Sequence, residues 1–407
     1  MNTSRRTLIS GLGVTVAGLS TQAFAQANKN PAAPAQKKAV VDTATNLQSP
    51  IPNKEIKILS LDRLEQDAKK VLSPSSYAFI SNGAGGEWTL KQNRTAFDKY
   101  QILTKRLTGV GAEEITTSVS MLGTSMSSPI MVAPMGAHLF AHHHAEIATA
   151  AGVGAAKILY QSSGASTRTM EDIARAHQGP RWFQLYMNND EAVTRNLLER
   201  AKAAGYTAII LTVDAMGPGM SEEYLSLGPV FPPNFTFANN DPKLGGMGDF
   251  GNQKQKLTPA DIQFIKSVTG LPVIVKGLMR AEDAEAAIQA GADAIQVSNH
   301  GGRQLDGVPA AIDVLAPIAQ RVQNRVPIIF DSGIRRGIDI FKALALGANA
   351  VAVGRPILYG LALGGSLGVK SVLDHLSGEL RQTMLLAGSK DIKDINSTYI
   401  FKDQSNN

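Results

Sequence analysis

From residue 129 onward the chain repeats one unit: a short aliphatic run, then a stretch long enough for a helix. The runs are PIMVAP (129–134), ILYQSS (158–163), RWFQLY (181–186), AIILTVD (208–214), PVIVKG (272–277), AIQVSNHG (294–301), PIIFDSG (327–333) and AVAVGR (350–355). Continuous apolar runs of this kind suit strands of a parallel sheet that is covered on both faces. Three of the intervening helical stretches close in related turns, AAGYTA, QAGADA and ALGANA, where glycine caps the helix and the next strand begins. Eight such units predict an α/β chain folded as a (β/α)8 TIM barrel rather than an open doubly wound sheet.

A barrel keeps its chemistry at the C-terminal ends of its strands. Here those ends carry Gln184, Tyr186, Thr212, Asp214, Lys276, Ser298, His300, Asp331 and Arg355, where an idle barrel would carry turn residues. The one long interruption, 215 to about 257, follows strand 4 and is rich in Gly, Pro, Asn and Phe, so it reads as a lid or substrate loop. Before the barrel, an N-terminal helical segment is expected, with Ser60 capping LDRLEQDAKKVL over 60–72.

Composition excludes several chemistries. The chain has 407 residues and no cysteine, so disulfides, thiolate catalysis, iron–sulfur clusters and cysteine-bound zinc are ruled out. Its net charge of +6 comes without basic blocks interleaved with aromatics, which gives no footprint for nucleic acid. Residues 1–25 read as a twin-arginine signal: Arg5-Arg6, a short apolar stretch that is too interrupted to span a bilayer, and Ala23-Phe24-Ala25 as cleavage site. A fortuitous arginine pair is the alternative. Residues 26–53, rich in Ala, Pro, Gln and Lys, read as a flexible linker, and 54–407 as the barrel domain. The expected location is the periplasm or outside the cell, with no integral membrane segment in the mature form.

Three motifs carry chemistry. Asp331-Ser332-Gly333-Ile334-Arg335 and Gly354-Arg355 fall after strands 7 and 8, where barrels commonly bind phosphate through glycine backbone N–H groups and arginines. Lys276 ends an apolar strand, so its ammonium projects into the barrel mouth, either in a structural ion pair or against negative charge on a ligand. In VSNHGGRQLDG the glycines bend the backbone so that His300 can accept a proton while Arg303 holds a carboxylate. His138 and His142-His143-His144 lack the carboxylates of a metal motif, so no metal is expected there.

These motifs, with SNGAGGEWTL, MVAPMGAH and VGRP, resemble the FMN-dependent α-hydroxy acid oxidases and dehydrogenases over roughly residues 55 to 400. The resemblance is nearest to bacterial lactate oxidase. It implies FMN as cofactor, with Pro134, Met135, Gly136, Ser163, Gln184, Thr212, Lys276 and Ser298 along the ring and ribityl chain. Asp331, Ser332, Gly333, Arg335, Gly354 and Arg355 would hold ribityl and phosphate. It further implies that His300 takes the substrate's proton, Asp214 stabilises the imidazolium, and Lys276 supports negative charge on the flavin. Arg303 would bind the substrate carboxylate and Tyr186 would hydrogen-bond the substrate. Two positions depart from the pattern: Phe79 stands where the family has a substrate-binding tyrosine, and Ser221 where it has a second carboxylate-binding arginine. The expected activity is oxidation of the α-hydroxyl of a 2-hydroxy acid, lactate-like or larger or a derivative, with electrons passing to oxygen or a periplasmic carrier. The resemblance suggests a homotetramer. The alternatives are an altered substrate that is not a free small carboxylate, a flavin-binding protein without turnover, or a sugar-phosphate barrel without flavin.

Overall fold

The computed structural model describes residues 53–402 except 178, 218, 220, 229–230 and 246–250. The expected signal at 1–25 lies outside the described residues, as does all but the last residue of the 26–53 linker. The eight runs form strands β1 (Ile130–Val132), β2 (Leu159–Ser163), β3 (Arg181–Leu185), β4 (Ile209–Thr212), β5 (Val273–Leu278), β6 (Ala294–Val297), β7 (Ile328–Phe330) and β8 (Ala350–Val353). All neighbours pair in parallel, and β8 returns to β1 to close the barrel.

Every strand is followed by a helix, from Ala145–Ala155 after β1 to Arg355–Ala387 after β8. The last is long and apolar enough to cross a membrane by length alone, but most of it is buried against the rest of the chain. Parity along the strands decides what each residue meets. Val132, Tyr160, Phe183, Leu211, Val275, Ile295, Phe330 and Val351 belong to the large core that includes the helices. Their neighbours Met131, Leu159, Trp182, Ile210, Ile274, Ala294, Ile329 and Ala350 form a separate inner core. Met121 and Met126 join this inner core from the hairpin Val119–Met121/Thr124–Met126. Two residues further along, the same inward face carries Gln161, Gln184, Thr212, Lys276, Gln296 and Asp331. The barrel is therefore apolar at one end and polar at the other, and the polar end is the one where the strands finish.

Ser60 caps a helix at Leu61–Val71, accepting from the Arg63 N–H at 3.2 Å. Two further helices, Pro74–Ser81 and Trp88–Thr95, lead into the barrel. The interruption after β4 is partly ordered: Ser221 caps a short helix, Glu222–Ser226, and Gln253 bridges back to Asn188 beyond β3.

The recurring glycines sit one residue beyond the helix cap rather than on it. Ala204, Ala290 and Leu346 are the caps, and Gly205, Gly291 and Gly347 follow at φ +79°, +93° and +109°. This left-handed residue lets the next N–H reach back to the helix, as from Tyr206 to Ala201 at 3.1 Å and from Ala348 to Ala343 at 3.0 Å. A Cβ on Gly347 would also lie 2.4 Å from the Ala319 Cβ, whereas Gly270, at φ +66°, has open space around it. We expect Gly270→Ala to cost about 1 kcal/mol for the left-handed backbone alone, and Gly347→Ala to cost about 1–3 kcal/mol more for overpacking. Urea unfolding of the two variants measures the difference, and equal midpoints would remove the packing contribution.

Candidate active site

The chain leaves β6 through Ser298 and Asn299 into a turn in which His300, Gly301 and Gly302 have φ +57°, +64° and +71°. Left-handed backbone is unfavourable for a histidine, so neighbouring groups must hold it. The His300 N–H donates to Ser298 Oγ at 3.0 Å and the Gly301 N–H to Ser332 Oγ at 3.1 Å. Both hydroxyls donate in turn to Asp331 Oδ1, at 2.6 and 2.8 Å, while Gln296 Nε2 donates to its Oδ2 at 2.7 Å. Asp331 is thus the hub that orders the turn. The glycines are needed for space as well: a Cβ on Gly302 would lie 2.8 Å from the Leu90 nitrogen.

This turn places His300 Nδ1 2.9 Å from Asp214 Oδ1, just beyond β4. Burial alone would push the Asp214 carboxyl up, but Lys276 and His300 outweigh it and hold the pKa below the ordinary 3.8. Asp214 is therefore a carboxylate at neutral pH and can only accept, so Nδ1 of a neutral His300 carries the proton and Nε2 keeps its lone pair. Gly277, at φ +107°, completes the packing, since a Cβ there would lie 2.5 Å from the Asp214 carboxyl carbon. That explains the glycine after Lys276.

Around this pair the strand ends form a polar ring. Ser163 Oγ donates to Gln184 Oε1 at 2.9 Å, and Thr212 is in register with Lys276 on the adjacent strand. Several buried polar atoms here have no partner: Gln184 Nε2, Thr212 Oγ1, Asp214 Oδ2 and Arg335 Nε. A buried polar atom left unpaired costs about 1–3 kcal/mol, so this set marks a place where a polar ligand completes the bonding. Next to it, Pro134, Met135 and Gly136 leave β1; a Cβ on Gly136 would lie 2.7 Å from the Ala165 carbonyl, and one on Gly354 3.4 Å from Met135 Sδ. Gly333, at φ +99°, lies over the Asn93 carbonyl, where a Cβ would be 1.9 Å away.

The two arginines at the mouth are anchored to backbone. Arg303 donates through Nη1 to the Phe79 carbonyl at 2.6 Å and lies 5.1 Å above the Phe79 ring. All three Arg355 nitrogens donate to carbonyls: Nε to Ile80 at 3.1 Å, Nη1 to Gly301 at 2.8 Å and Nη2 to Asn82 at 3.0 Å. In this structure Arg355 ties the end of helix Pro74–Ser81 to the turn at His300, and each of its two terminal nitrogens keeps one further N–H. Phe79 stacks on Phe140 at 4.0 Å and meets Tyr224 edge-on at 5.5 Å, so this position presents an aromatic face. Ser221 uses its hydroxyl to accept from the Tyr224 N–H at 3.3 Å, and Glu222 and Glu223 follow it, so no cation takes the arginine's place in that helix. Burial raises the Tyr186 phenol, so it stays protonated and able to donate.

The His142 ring stacks with those of His143 and His144 at 4.4 and 5.7 Å, and His142 is pushed down to about 4 by burial and by the two neighbouring rings. Two residues that shape the site did not stand out in the sequence. Asp306 accepts from the Thr89 N–H at 2.8 Å and so caps helix Trp88–Thr95, which accounts for the aspartate of RQLDG. Asn93, on the same helix, exchanges two hydrogen bonds with Asn299. Its only sequence signal was its place three residues after EWTL.

The FMN-dependent dehydrogenase family model matches residues 68–402. An L-lactate oxidase of Lactobacillus jensenii is 44% identical over 349 residues, covering 84% of this chain and 85% of that protein. A solved lactate oxidase of Pediococcus acidilactici superposes with TM-score 0.83 at 43% identity, covering 87% of this chain and 97% of that one. A solved mandelate oxidase with (S)-2-phenylpropionate does so with TM-score 0.78 at 34% identity, covering 85% and 99%. The chain belongs to the FMN-dependent dehydrogenase family, as a closed (β/α)8 barrel. The orphaned donors at the mouth and the glycines that line it fit FMN, which offers acceptor atoms on its ring, ribityl chain and phosphate.

The folded pKa of Asp214 is depressed, so its stabilisation is fully present above the ordinary 3.8 and is lost only as pH falls below that value. We expect Asp214→Asn to slow substrate-driven flavin bleaching by about 10²-fold or more at every pH from about 5 to 9, because the loss is in holding and charging the imidazole. Anaerobic stopped-flow across that range checks this, and a variant that recovers wild-type rates at either end would contradict it.

Proposed function

We propose that the protein oxidises the α-hydroxyl of a 2-hydroxy acid to the 2-oxo product, and that the His300–Asp214 pair at 2.9 Å carries this reading. FMN, when bound, accepts the two electrons that leave the α-carbon. The oxidation also releases two protons: His300 Nε2 would take one, from the hydroxyl or the α-carbon, with the Asp214 carboxylate stabilising the imidazolium that results, and the other hydrogen would leave with the electrons or to solvent. Lys276 supplies positive charge beside Asp214, Arg303 binds the substrate carboxylate, and Tyr186 donates to a substrate oxygen. The relatives named above are oxidases, which supports oxygen as acceptor. Arg5-Arg6 and the Ala23-Phe24-Ala25 site support twin-arginine export, and in the periplasm a carrier could serve instead. A homotetramer is the assembly we propose.

The substrate is lactate-like or larger, or a derivative, and its acid group meets one clamp unless another cation enters from elsewhere. Phe79 and Ser221 remove one hydroxyl and one guanidinium from the carboxylate's surroundings, and no arginine occurs between Arg200 and Arg280. Losing one charge-assisted clamp weakens carboxylate binding by about 1.5–3 kcal/mol. The aromatic face of Phe79 and Phe140 suits a bulkier or less polar substrate.

The test is anaerobic flavin bleaching over a panel of L-2-hydroxy acids of increasing size with their esters and amides. Larger members or derivatives are expected to half-saturate well below lactate. Micromolar half-saturation by lactate would overturn the single-clamp reading, and no bleaching by any member would overturn the oxidation itself. Ser221→Arg is expected to tighten lactate binding by about 10- to 100-fold.

A further inference from the structure

We infer that Asn93 is a positioning residue for the catalytic histidine: its side-chain amide, paired with that of Asn299, fixes the left-handed turn that aims His300 at Asp214. The inference rests on the reading of His300 as the proton acceptor.

Asn93 is 2% exposed on helix Trp88–Thr95 and far from β6 in sequence. Its Nδ2 donates to Asn299 Oδ1 at 2.8 Å, and Asn299 Nδ2 donates back to Asn93 Oδ1 at 2.7 Å. Two amides that exchange both bonds lock each other's orientation. Asn93 Oδ1 also accepts from the Ala311 N–H at 3.2 Å, and Asn299 Nδ2 also donates to the Pro309 carbonyl at 3.1 Å. These bonds tie both ends of the loop from β6 to the following helix to one buried group.

The lock matters because Asn299 caps the turn. Its Oδ1 accepts from the Gly302 N–H at 3.2 Å, while three successive residues, His300 among them, sit at positive φ. Without Asn93 the Asn299 amide keeps only the Pro309 carbonyl and the Gly302 N–H as partners, so its orientation loosens and the cap weakens. The turn then has the hydroxyls of Ser298 and Ser332 and the Arg355 bond to Gly301 to hold a backbone that histidine disfavours. The contact that suffers is the one between imidazole and carboxylate, whose geometry is set by the direction in which the turn points the ring. Asp306, which caps this helix, keeps it seated in the same loop.

The test compares Asn93→Ala with Leu376→Ala, a cavity variant in the C-terminal helix Arg355–Ala387, both as FMN-loaded full-length protein. The first readout is flavin reduction by the panel member that bleaches wild type fastest. The second is the Nδ1 proton resonance of His300 in 15N-histidine-labelled protein, assigned by its disappearance in His300→Gln. In Asn93→Ala we expect the limiting reduction rate to fall about 10- to 100-fold while half-saturation changes less than about threefold, and the Nδ1 proton signal to be lost to exchange. Leu376→Ala, with an equal or greater fall in Tm, is expected to keep both. An unchanged rate and signal in Asn93→Ala, or equal losses in Leu376→Ala, overturns the inference. If Asn93→Ala does not fold, Asn93→Asp keeps the oxygen that Asn299 and Ala311 donate to, and the same changes are expected at smaller size. If no hydroxy acid reduces the wild type, the proposed function fails, while the resonance still decides whether Asn93 holds His300.

Discussion

Closure of the parallel barrel makes side-chain parity a matter of function. In an open sheet a residue that faces the wrong side meets solvent or a helix; in a closed barrel the inner side is a confined column with two ends. One end is filled by Met131, Leu159, Trp182 and Ile274, with Met121 and Met126 beneath. Two residues later the same parity delivers Gln184, Thr212, Lys276 and Asp331 to the other end, where polar groups are paired with one another or left open for a ligand. The hydrophobic column is the floor on which this polar layer is built. Because helices cover the outer face, the strand ends have little freedom to move, and that rigidity is what proton transfer over a hydrogen-bond distance requires.

On this floor the turn at His300 holds an unfavourable backbone in place. His300 at φ +57° has the wrong local conformation for its residue type, yet three networks converge on it. Asp331 works through Ser298 and Ser332, Asn93 through Asn299, and Arg355 through the Gly301 carbonyl. The groups that the sequence assigned to ribityl and phosphate binding therefore also build the turn. A cofactor contact made by Asp331 or Arg355 would be transmitted directly to the imidazole, since each is bonded to the turn or one hydroxyl away from it.

Charge around the site is asymmetric. Lys276 and the imidazole hold Asp214 ionised despite its burial, which places the proton of a neutral imidazole on Nδ1 and leaves the Nε2 lone pair open. On the substrate side, Arg303 is fixed by the Phe79 carbonyl and ring, while Ser221 contributes a helix cap rather than a cation. A single anchored guanidinium orients a carboxylate but attracts it less than two would. In the proposed reaction the proton-accepting pair is intact, and the proposed departure lies in how the substrate's acid group is recognised.

Much of this was legible in the sequence. The eight runs and the glycine turns specified the barrel, because strand parity and helix termination are local properties. That His300, Asp214 and Lys276 meet at one place was legible as well, because strand ends of a barrel face one mouth wherever they fall in the chain. What the sequence could not reveal was which polar side chains spend their hydrogen bonds on protein. Arg355 gives all three nitrogens to carbonyls of Ile80, Asn82 and Gly301, Asp306 caps a helix some 200 residues earlier, and Asn93 reaches across to Asn299. Those partners are distant in sequence and use backbone groups that every residue possesses, so no pattern of residue types marks them. The sequence by itself determined the barrel and which polar groups its strand ends bring to one mouth. Only the tertiary structure decided how those groups are held, because that depends on which backbone carbonyls and amides the folded chain brings within reach.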